Sequence, residues 1–240
     1  KEDMLEPDTP IFLHGISSGC AVTVTALSAW DKRRTLTPSA KTPSFVAAIT
    51  VTPGYDTSRV FELERFKVPY NPLMNYFVKS HFVEKNVDVL EPFSSSAYHD
   101  SLNASNLQDF LGAAAPFAGY PNASAYYAGE NPVNDLHYIN TPVFVMNSLD
   151  DPCCAISNFY EKSPYPQHDG RSFASIVNDS QRGLVAVTKS GSHCPFLDGM
   201  LFPFVRDPFG GGWMLKSWAD EAGIDFYKAA LQVYGDRAKM

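Results

Sequence analysis

The chain has 240 residues, of which 45% are hydrophobic and 19% charged, and its formal net charge at pH 7 is −7. These values are typical of a globular domain with a sizeable core, and the acidic balance argues against a nucleic-acid surface. No apolar run reaches the length of a membrane span, and the four cysteines lack the C-x-x-C spacing of a zinc or redox motif.

Four apolar runs predict buried β-strands, at 9–14, 45–51, 141–146 and 183–188. A helix rich in small residues is predicted directly after the first run, and an amphipathic helix near the end of the chain, over 213–234. Strands that are continuously apolar, separated by helices, are typical of a parallel sheet covered on both faces. We therefore predict an α/β fold with a mostly parallel sheet.

A long aromatic-rich segment separates the second and third predicted strands, and it exceeds what a crossover connection needs. It contains helix-like pieces at 71–82 and 105–114. We interpret 54–138 as a helical cap inserted into the core, whose aromatic side chains line an acyl pocket. The core then consists of 1–53 and 139–240. A polar stretch at 31–43, with two prolines, predicts a loop.

The first strand runs into Gly15-Ile16-Ser17-Ser18-Gly19, which matches the pattern G-x-S-x-G. In this pattern a serine occupies a strained turn between a strand and a helix, where its hydroxyl is exposed. The match lies between an apolar strand and a small-residue helix, as the mechanism requires. Ser17 is therefore the predicted nucleophile, and the backbone N–H of Ser18 is predicted to form half of an oxyanion hole.

A nucleophilic serine needs a histidine to accept its proton and a carboxylate to orient that histidine. His193 follows the fourth strand, and Asp150 and Asp151 follow the third, so the chain order is serine, acid, histidine. We predict Asp151 as the acid, with Asp150 as the alternative, and His193 as the base. His168 is the weaker candidate for the base. An ordinary pKa of about 6 to 7 is expected for His193.

Four blocks of sequence carry a family resemblance: HGISSGCAVTVTAL, FVAAITVTPGYDT, APFAGYPNASAYYAGENPVNDLHYINTPVFVMNSLDDP and GLVAVTKSGSHCPFLDG. Together they resemble the embryogenesis-associated, YheT-like branch of the α/β-hydrolases, also described as abhydrolase domain-containing esterases and lipases. The resemblance implies an α/β-hydrolase fold and a Ser-Asp-His triad, with no metal and no organic cofactor. Ser17, Asp151 and His193 fall on the family's nucleophile, acid and base.

The resemblance also implies acyl esters of lipids as substrates, and a membrane association through a segment ahead of the hydrolase domain. The compartment stays open. Only 16 residues precede Ser17, whereas an α/β-hydrolase builds several strands before its nucleophile. We therefore expect N-terminal strands to be missing from this chain, or a partner chain to pair with the elbow strand.

Two other functions are compatible with the same residues. A thioesterase or peptidase would use the same triad, and a non-catalytic relative would keep the fold and bind a ligand or partner. Cys20 lies beside the elbow and Cys194 beside the base, where oxidation would affect the site. Small buried residues are the favoured interpretation of both. No role is assigned to Cys153 and Cys154.

Overall fold

A computed structural model describes residues 9–37, 45–54, 56–60, 68–162, 169–179, 182–197, 204–206, 213–215 and 217–237. The chain divides into two units. Unit 1 comprises Lys1–Gly54 and Asp135–Met240, and unit 2 comprises Tyr55–Asn134. Unit 2 lies within the segment 54–138, whose function as a cap stays a prediction.

A four-stranded parallel sheet forms the centre of unit 1. Its strands lie in the order β1-β2-β3-β4, and all three pairings are parallel. They are β1 (Ile11–Ile16), β2 (Phe45–Val51), β3 (Val143–Ser148) and β4 (Gly183–Thr188). Nearly every residue of the two central strands is buried, as their unbroken apolar sequences predict. The predicted α/β fold with a parallel sheet is confirmed.

The helices are, in chain order, α1 (Gly19–Leu36), α2 (Tyr70–Val78), α3 (Val87–Phe93), α4 (Ser95–Asn103), α5 (Leu107–Ala114), α6 (Ala123–Glu130), α7 (Ser157–Tyr160), α8 (Phe173–Asp179) and α9 (Trp218–Arg237). A π-helical turn over Lys79–Val83 follows α2 directly. Among the described residues, no helix combines the length and the hydropathy that crossing a bilayer requires.

The main core of unit 1 lies between the sheet and α9. Ile49, Phe144 and Met146 of the central strands are buried with Ala219, and Phe226 packs against them. β1 lies at one edge of the described sheet.

α1 continues to Leu36, so the loop predicted over 31–43 is wrong for its first six residues. Asp31 is only 2% exposed, and its carboxylate accepts the backbone N–H groups of Asn140 at 2.7 Å and Thr141 at 2.8 Å. The buried charge is thus satisfied by hydrogen bonds, which connect α1 to the chain that enters β3. A polar residue inside the helix therefore has a structural function that its own neighbours in sequence do not reveal.

The helix predicted over 213–234 begins later than expected, at Trp218. Residues Phe204–Arg206 (β5) and Trp213–Leu215 (β6) instead form an antiparallel pair. The sequence between them, DPFGGG, contains one proline and three glycines, which disfavour a helix. The pairing was missed because both strands are only three residues long.

Unit 2 has a core of its own, formed by Val83, Leu90, Tyr98, Ala104 and Phe110. Two buried asparagines of α2 connect that helix to the α4–α5 segment. The side chain of Asn71 accepts the N–H of Leu107 at 2.8 Å, and that of Asn75 donates to the carbonyl of Ala104 at 3.0 Å. The two asparagine side chains thus supply hydrogen-bond partners for backbone groups at and near the loop between α4 and α5.

The two glycines of the G-x-S-x-G motif differ in what the fold requires of them. A Cβ on Gly15 would lie 2.6 Å from Oγ1 of Thr23, 2.7 Å from the carbonyl oxygen of Gly19 and 2.8 Å from Cα of Cys20. A Cβ on Gly19 would have no heavy atom within 4 Å. Close contact between β1 and α1 therefore requires glycine only at the first position.

We predict opposite effects of the two substitutions on stability. Gly15→Ala should lower the free energy of unfolding by about 1–3 kcal/mol, since two of the three contacted atoms belong to the backbone. Gly19→Ala should raise it by about 0.4–1 kcal/mol, because the unfolded chain loses freedom and nothing clashes. Urea unfolding of the two variants, followed by circular dichroism, measures both changes. Equal destabilisation by the two substitutions would contradict the packing argument.

Candidate active site

Ser17 lies in the turn between β1 and α1, with a backbone φ of 52°. The N–H of Ser17 donates to the carbonyl of Val51 at 2.9 Å, and the carbonyl of Ser17 accepts the N–H of Cys20 at 3.0 Å. A positive φ is unfavourable for a residue with a side chain, and here it is held between the sheet and the first turn of the helix. The hydroxyl is thereby presented beyond the end of the sheet, as the motif predicts.

Asp151 follows β3 and is completely buried, with 0% exposure. Its Oδ1 accepts the backbone N–H groups of Cys153 at 2.7 Å and Cys154 at 2.9 Å. Both of its oxygens lie 3.0 Å from Nδ1 of His193. The carboxylate is thus held in place by the backbone of its own loop, and the imidazole supplies its remaining partner.

His193 connects the other two side chains, because its Nε2 lies 2.7 Å from Oγ of Ser17. In the neutral imidazole, with Nδ1–H donated to Asp151, Nε2 carries the lone pair, and the Ser17 hydroxyl donates to it. The structure therefore brings Ser17, His193 and Asp151 into one chain of hydrogen bonds. Three loops that are far apart in sequence supply these residues.

The loop that carries His193 is held by the residues before Asp151. Oδ1 of Asp150 accepts the N–H of Gly191 at 2.9 Å and that of Ser192 at 2.8 Å, and the Ser148 hydroxyl donates to the Ser192 carbonyl at 2.7 Å. Burial raises the pKa of Asp150, but hydrogen bonds, first that of the Ser192 N–H and then those of Ser148 and Gly191, together outweigh it and lower this pKa. Asp150 therefore contacts the backbone of the loop that carries His193, whereas Asp151 contacts the imidazole itself.

No sequence motif marks the contribution of Ser148, because its hydrogen-bond partner Ser192 lies 44 residues away along the chain. Ser18 directly precedes α1, which places its backbone N–H at the positive end of that helix, where the oxyanion was predicted. The alternative base, His168, lies outside the described residues.

Burial and the hydrogen bond to Asp151 have the largest effects on the pKa of His193. Burial lowers the pKa of His193, but the hydrogen bond to Asp151, a contact with the Cys194 side chain and the Asp151 charge together raise it from 6.5 to about 9. The ordinary pKa expected from the sequence is therefore wrong, since the sequence does not reveal how deeply the carboxylate is buried.

All four cysteines are thiols near this site rather than disulfides. Cys20, Cys153 and Cys154 are buried, and burial raises the pKa of Cys20 to about 12 and that of Cys154 well above its usual value. The Cys20 thiol donates to the carbonyl of Val51 at 3.2 Å. Cys194 is partly exposed, and its sulfur lies 3.2 Å from Oγ1 of Thr52.

Comparison with known proteins finds curated relatives that are esterases and lipases. The chain is 34% identical over 113 residues to the medium-chain fatty acid ethyl ester synthase/esterase 2 of Saccharomyces cerevisiae, covering 47% of the chain and 19% of the relative. It is 27% identical over 117 residues to monoacylglycerol lipase ABHD2 of Danio rerio, covering 48% and 22%. No family model matches.

Among solved structures, an esterase from Pyrococcus furiosus covers 77% of the chain and 45% of its own length, with 15% identity and a TM-score of 0.36. The chain is thus similar in part of its sequence to esterases and lipases, and its helix-flanked parallel sheet is an α/β fold. The matched segments cover about a fifth of each curated relative.

We predict that His193 titrates near pH 9 in the folded protein and that Asp151→Asn lowers this pKa, because the substitution weakens the hydrogen bond to the imidazolium and removes the negative charge. Protonated His193 then stabilises the fold below pH 6.5, and this contribution is lost as the pH rises through 9. Imidazole resonances followed by NMR across this range measure the pKa. His193→Ala identifies the resonance, and an unchanged pKa in Asp151→Asn would contradict the assignment of its cause.

Proposed function

We propose that the chain is a serine carboxylic-ester hydrolase acting on lipid or medium-chain acyl esters. The observation that carries the proposal is the chain of hydrogen bonds from Ser17 through His193 to the buried Asp151. Each hydrogen bond has the polarity that nucleophilic catalysis requires, since the Ser17 hydroxyl faces Nε2 of His193 and Nδ1 of the same imidazole faces the Asp151 carboxylate. The names of the two curated relatives support esters as the substrate class.

In the proposed mechanism, Oγ of Ser17 attacks the ester carbonyl while Nε2 of His193 removes its proton. The imidazolium that forms is stabilised by Asp151, which also keeps Nδ1 protonated. The negative charge on the tetrahedral oxygen is stabilised by the backbone N–H of Ser18 at the start of α1. His193 then donates its proton to the departing alcohol, leaving an acyl group on Ser17. Water, activated by the same histidine, hydrolyses the acyl-enzyme and releases the acid.

Asp150 has a different function in this proposal. Its carboxylate holds the backbone of the loop that carries His193 and has no contact of its own with the reacting groups. Asp150 is therefore a positioning residue. Its effect on turnover depends on how far the imidazole is displaced from Ser17 when the loop relaxes.

We predict that Ser17→Ala abolishes turnover of p-nitrophenyl esters, by at least about 10⁴-fold, without unfolding the protein. A fluorophosphonate probe should label the wild-type chain but not this variant. Ser18→Ala is the matched control, because it removes the neighbouring hydroxyl and keeps the backbone N–H, so labelling should persist. A thioester and an anilide with the same acyl group separate the ester hydrolase from the thioesterase and peptidase alternatives. Wild-type turnover in Ser17→Ala would refute the assignment.

We also predict that the two neighbouring aspartates differ in their effect on turnover. Asp151→Asn should lower kcat by about 10⁴-fold, because the wrong tautomer of His193 is then favoured. Asp150→Asn should lower it by at most about 10²-fold, the cost of a misplaced group. In the wild type, kcat/KM should rise with pH up to about 9, since His193 must be neutral to accept a proton. A larger loss in Asp150→Asn would exchange the two functions.

A further inference from the structure

Cys153 is a third side chain with metal-ligand chemistry beside the Asp151–His193 pair. One ligand atom from each of these three residues lies within 4.8 Å of the other two. A carboxylate oxygen, a thiolate sulfur and an imidazole nitrogen are all ligands that zinc accepts in proteins. The proposed esterase mechanism uses Asp151 and His193 but makes no use of the Cys153 thiol.

The distances approach those of a tetrahedral zinc site. Nδ1 of His193 lies 3.0 Å from each oxygen of Asp151. Two light ligands that share a tetrahedral zinc at about 2.0–2.2 Å are separated by about 3.3–3.5 Å. The sulfur of Cys153 lies at most 4.8 Å from the ligand atoms of Asp151 and His193. A Zn–S bond of about 2.3 Å requires the sulfur to be within about 3.6 Å of those atoms. A side-chain movement of about 1 Å therefore completes three ligands.

Burial and charge also favour a divalent cation here. Asp151 is 0% exposed and Cys153 is 6% exposed, while the side chain of His193 keeps 20% of its surface exposed. A carboxylate and a thiolate together neutralise the two charges of the ion, which a buried cation needs. Among the three residues, His193 has the most exposed side chain.

We propose that Asp151, Cys153 and His193 form an inhibitory zinc site that withdraws the catalytic base. Zinc bonds to the lone pair of Nδ1, the Cys153 thiol releases one proton to solvent, and the proton of Nδ1 in the neutral imidazole is transferred to Nε2. Nε2 then carries a hydrogen and no lone pair, so it cannot accept the proton of Ser17. Zinc thus fixes the wrong tautomer of His193. The inhibitory consequence rests on the proposed function, whereas binding of the ion does not.

The site can be tested by calorimetric titration of zinc chloride into the purified chain. We expect Cys153→Ser to weaken binding at least tenfold, since even outer-shell partners of metal ligands contribute about 10–100-fold. Cys154→Ser is the matched control, because that thiol is 7% exposed and its backbone N–H also donates to Asp151. His193→Ala should abolish binding, and Ser17→Ala should leave it unchanged. Equal effects of the two cysteine substitutions, or no binding by the wild type, would overturn the site.

Cobalt(II) supplies a measurement that needs no variant to fold. Bound to this site in the wild type, it should show a sulfur-to-cobalt charge-transfer absorption, which zinc then displaces. Absence of that absorption in the cobalt-loaded wild type would refute the thiolate ligand. Circular dichroism of each variant confirms that lost binding is not lost folding.

Turnover separates the failure of this inference from the failure of the proposed function. With p-nitrophenyl esters, zinc should inhibit the wild type and EDTA should restore its rate, and Cys153→Ser should need at least tenfold more zinc relative to its own uninhibited rate. Ester turnover without zinc binding leaves the function standing and refutes the site. Zinc binding that depends on Cys153, in a chain without ester turnover, supports the site and refutes the function.

Discussion

Hydrogen bonds of the parallel sheet continue past the ends of its strands, and the site depends on this continuation. The N–H of Ser17 donates to Val51, that of Thr52 to Met146, and that of Leu149 to Thr188. Each loop therefore leaves the sheet from a position that is already fixed by its neighbour. Because parallel strands end at the same edge, the serine and the two loops that carry the acid and the base begin side by side.

The turns beyond this edge hold unfavourable backbone geometry. Ser17, Thr52, Ser192 and Cys194 all have positive φ, which costs about 1–3 kcal/mol for a residue with a side chain. In the loop that carries His193, this cost is opposed by the two hydrogen bonds to Asp150. Such strain, held by surrounding contacts, is found at sites where a side chain must stay in one orientation. Backbone strain of this kind is expected in a loop whose histidine must keep its imidazole oriented toward one hydroxyl group.

The burial of Asp151 has two consequences. A carboxylate shielded from water polarises His193 strongly, which suits a general base. The same carboxylate, with a thiol close by, is a strong ligand for a soft or borderline cation. In such a site the buried carboxylate orients the imidazole. Together with the nearby thiol, the same carboxylate makes the site sensitive to zinc. Replacing the Cys153 thiol alters the sensitivity to zinc, while the backbone contacts that hold Asp151 remain.

The sequence by itself determined the features that depend on short stretches. The bounds of β2 and β4 follow from runs of apolar residues, and the position of Ser17 follows from a five-residue motif in the right context. Chain order was enough to select Asp151 and His193 as candidates, which the structure brings within hydrogen-bond distance. The strand predictions succeeded because strand patterning is a local property, and the catalytic functions of Ser17, Asp151 and His193 stay predictions.

Tertiary structure alone decided which distant groups meet. Three contacts join segments that the sequence does not relate. They are the hydrogen bond from Asn140 to Asp31, the hydrogen bonds of Asp150 to the loop of His193, and the short distance between Cys153 and the imidazole. The raised pKa of His193 belongs to the same class, since it depends on the burial of another residue. Contacts between distant segments are set by how the sheet and its loops pack, and no periodicity or short motif encodes that packing.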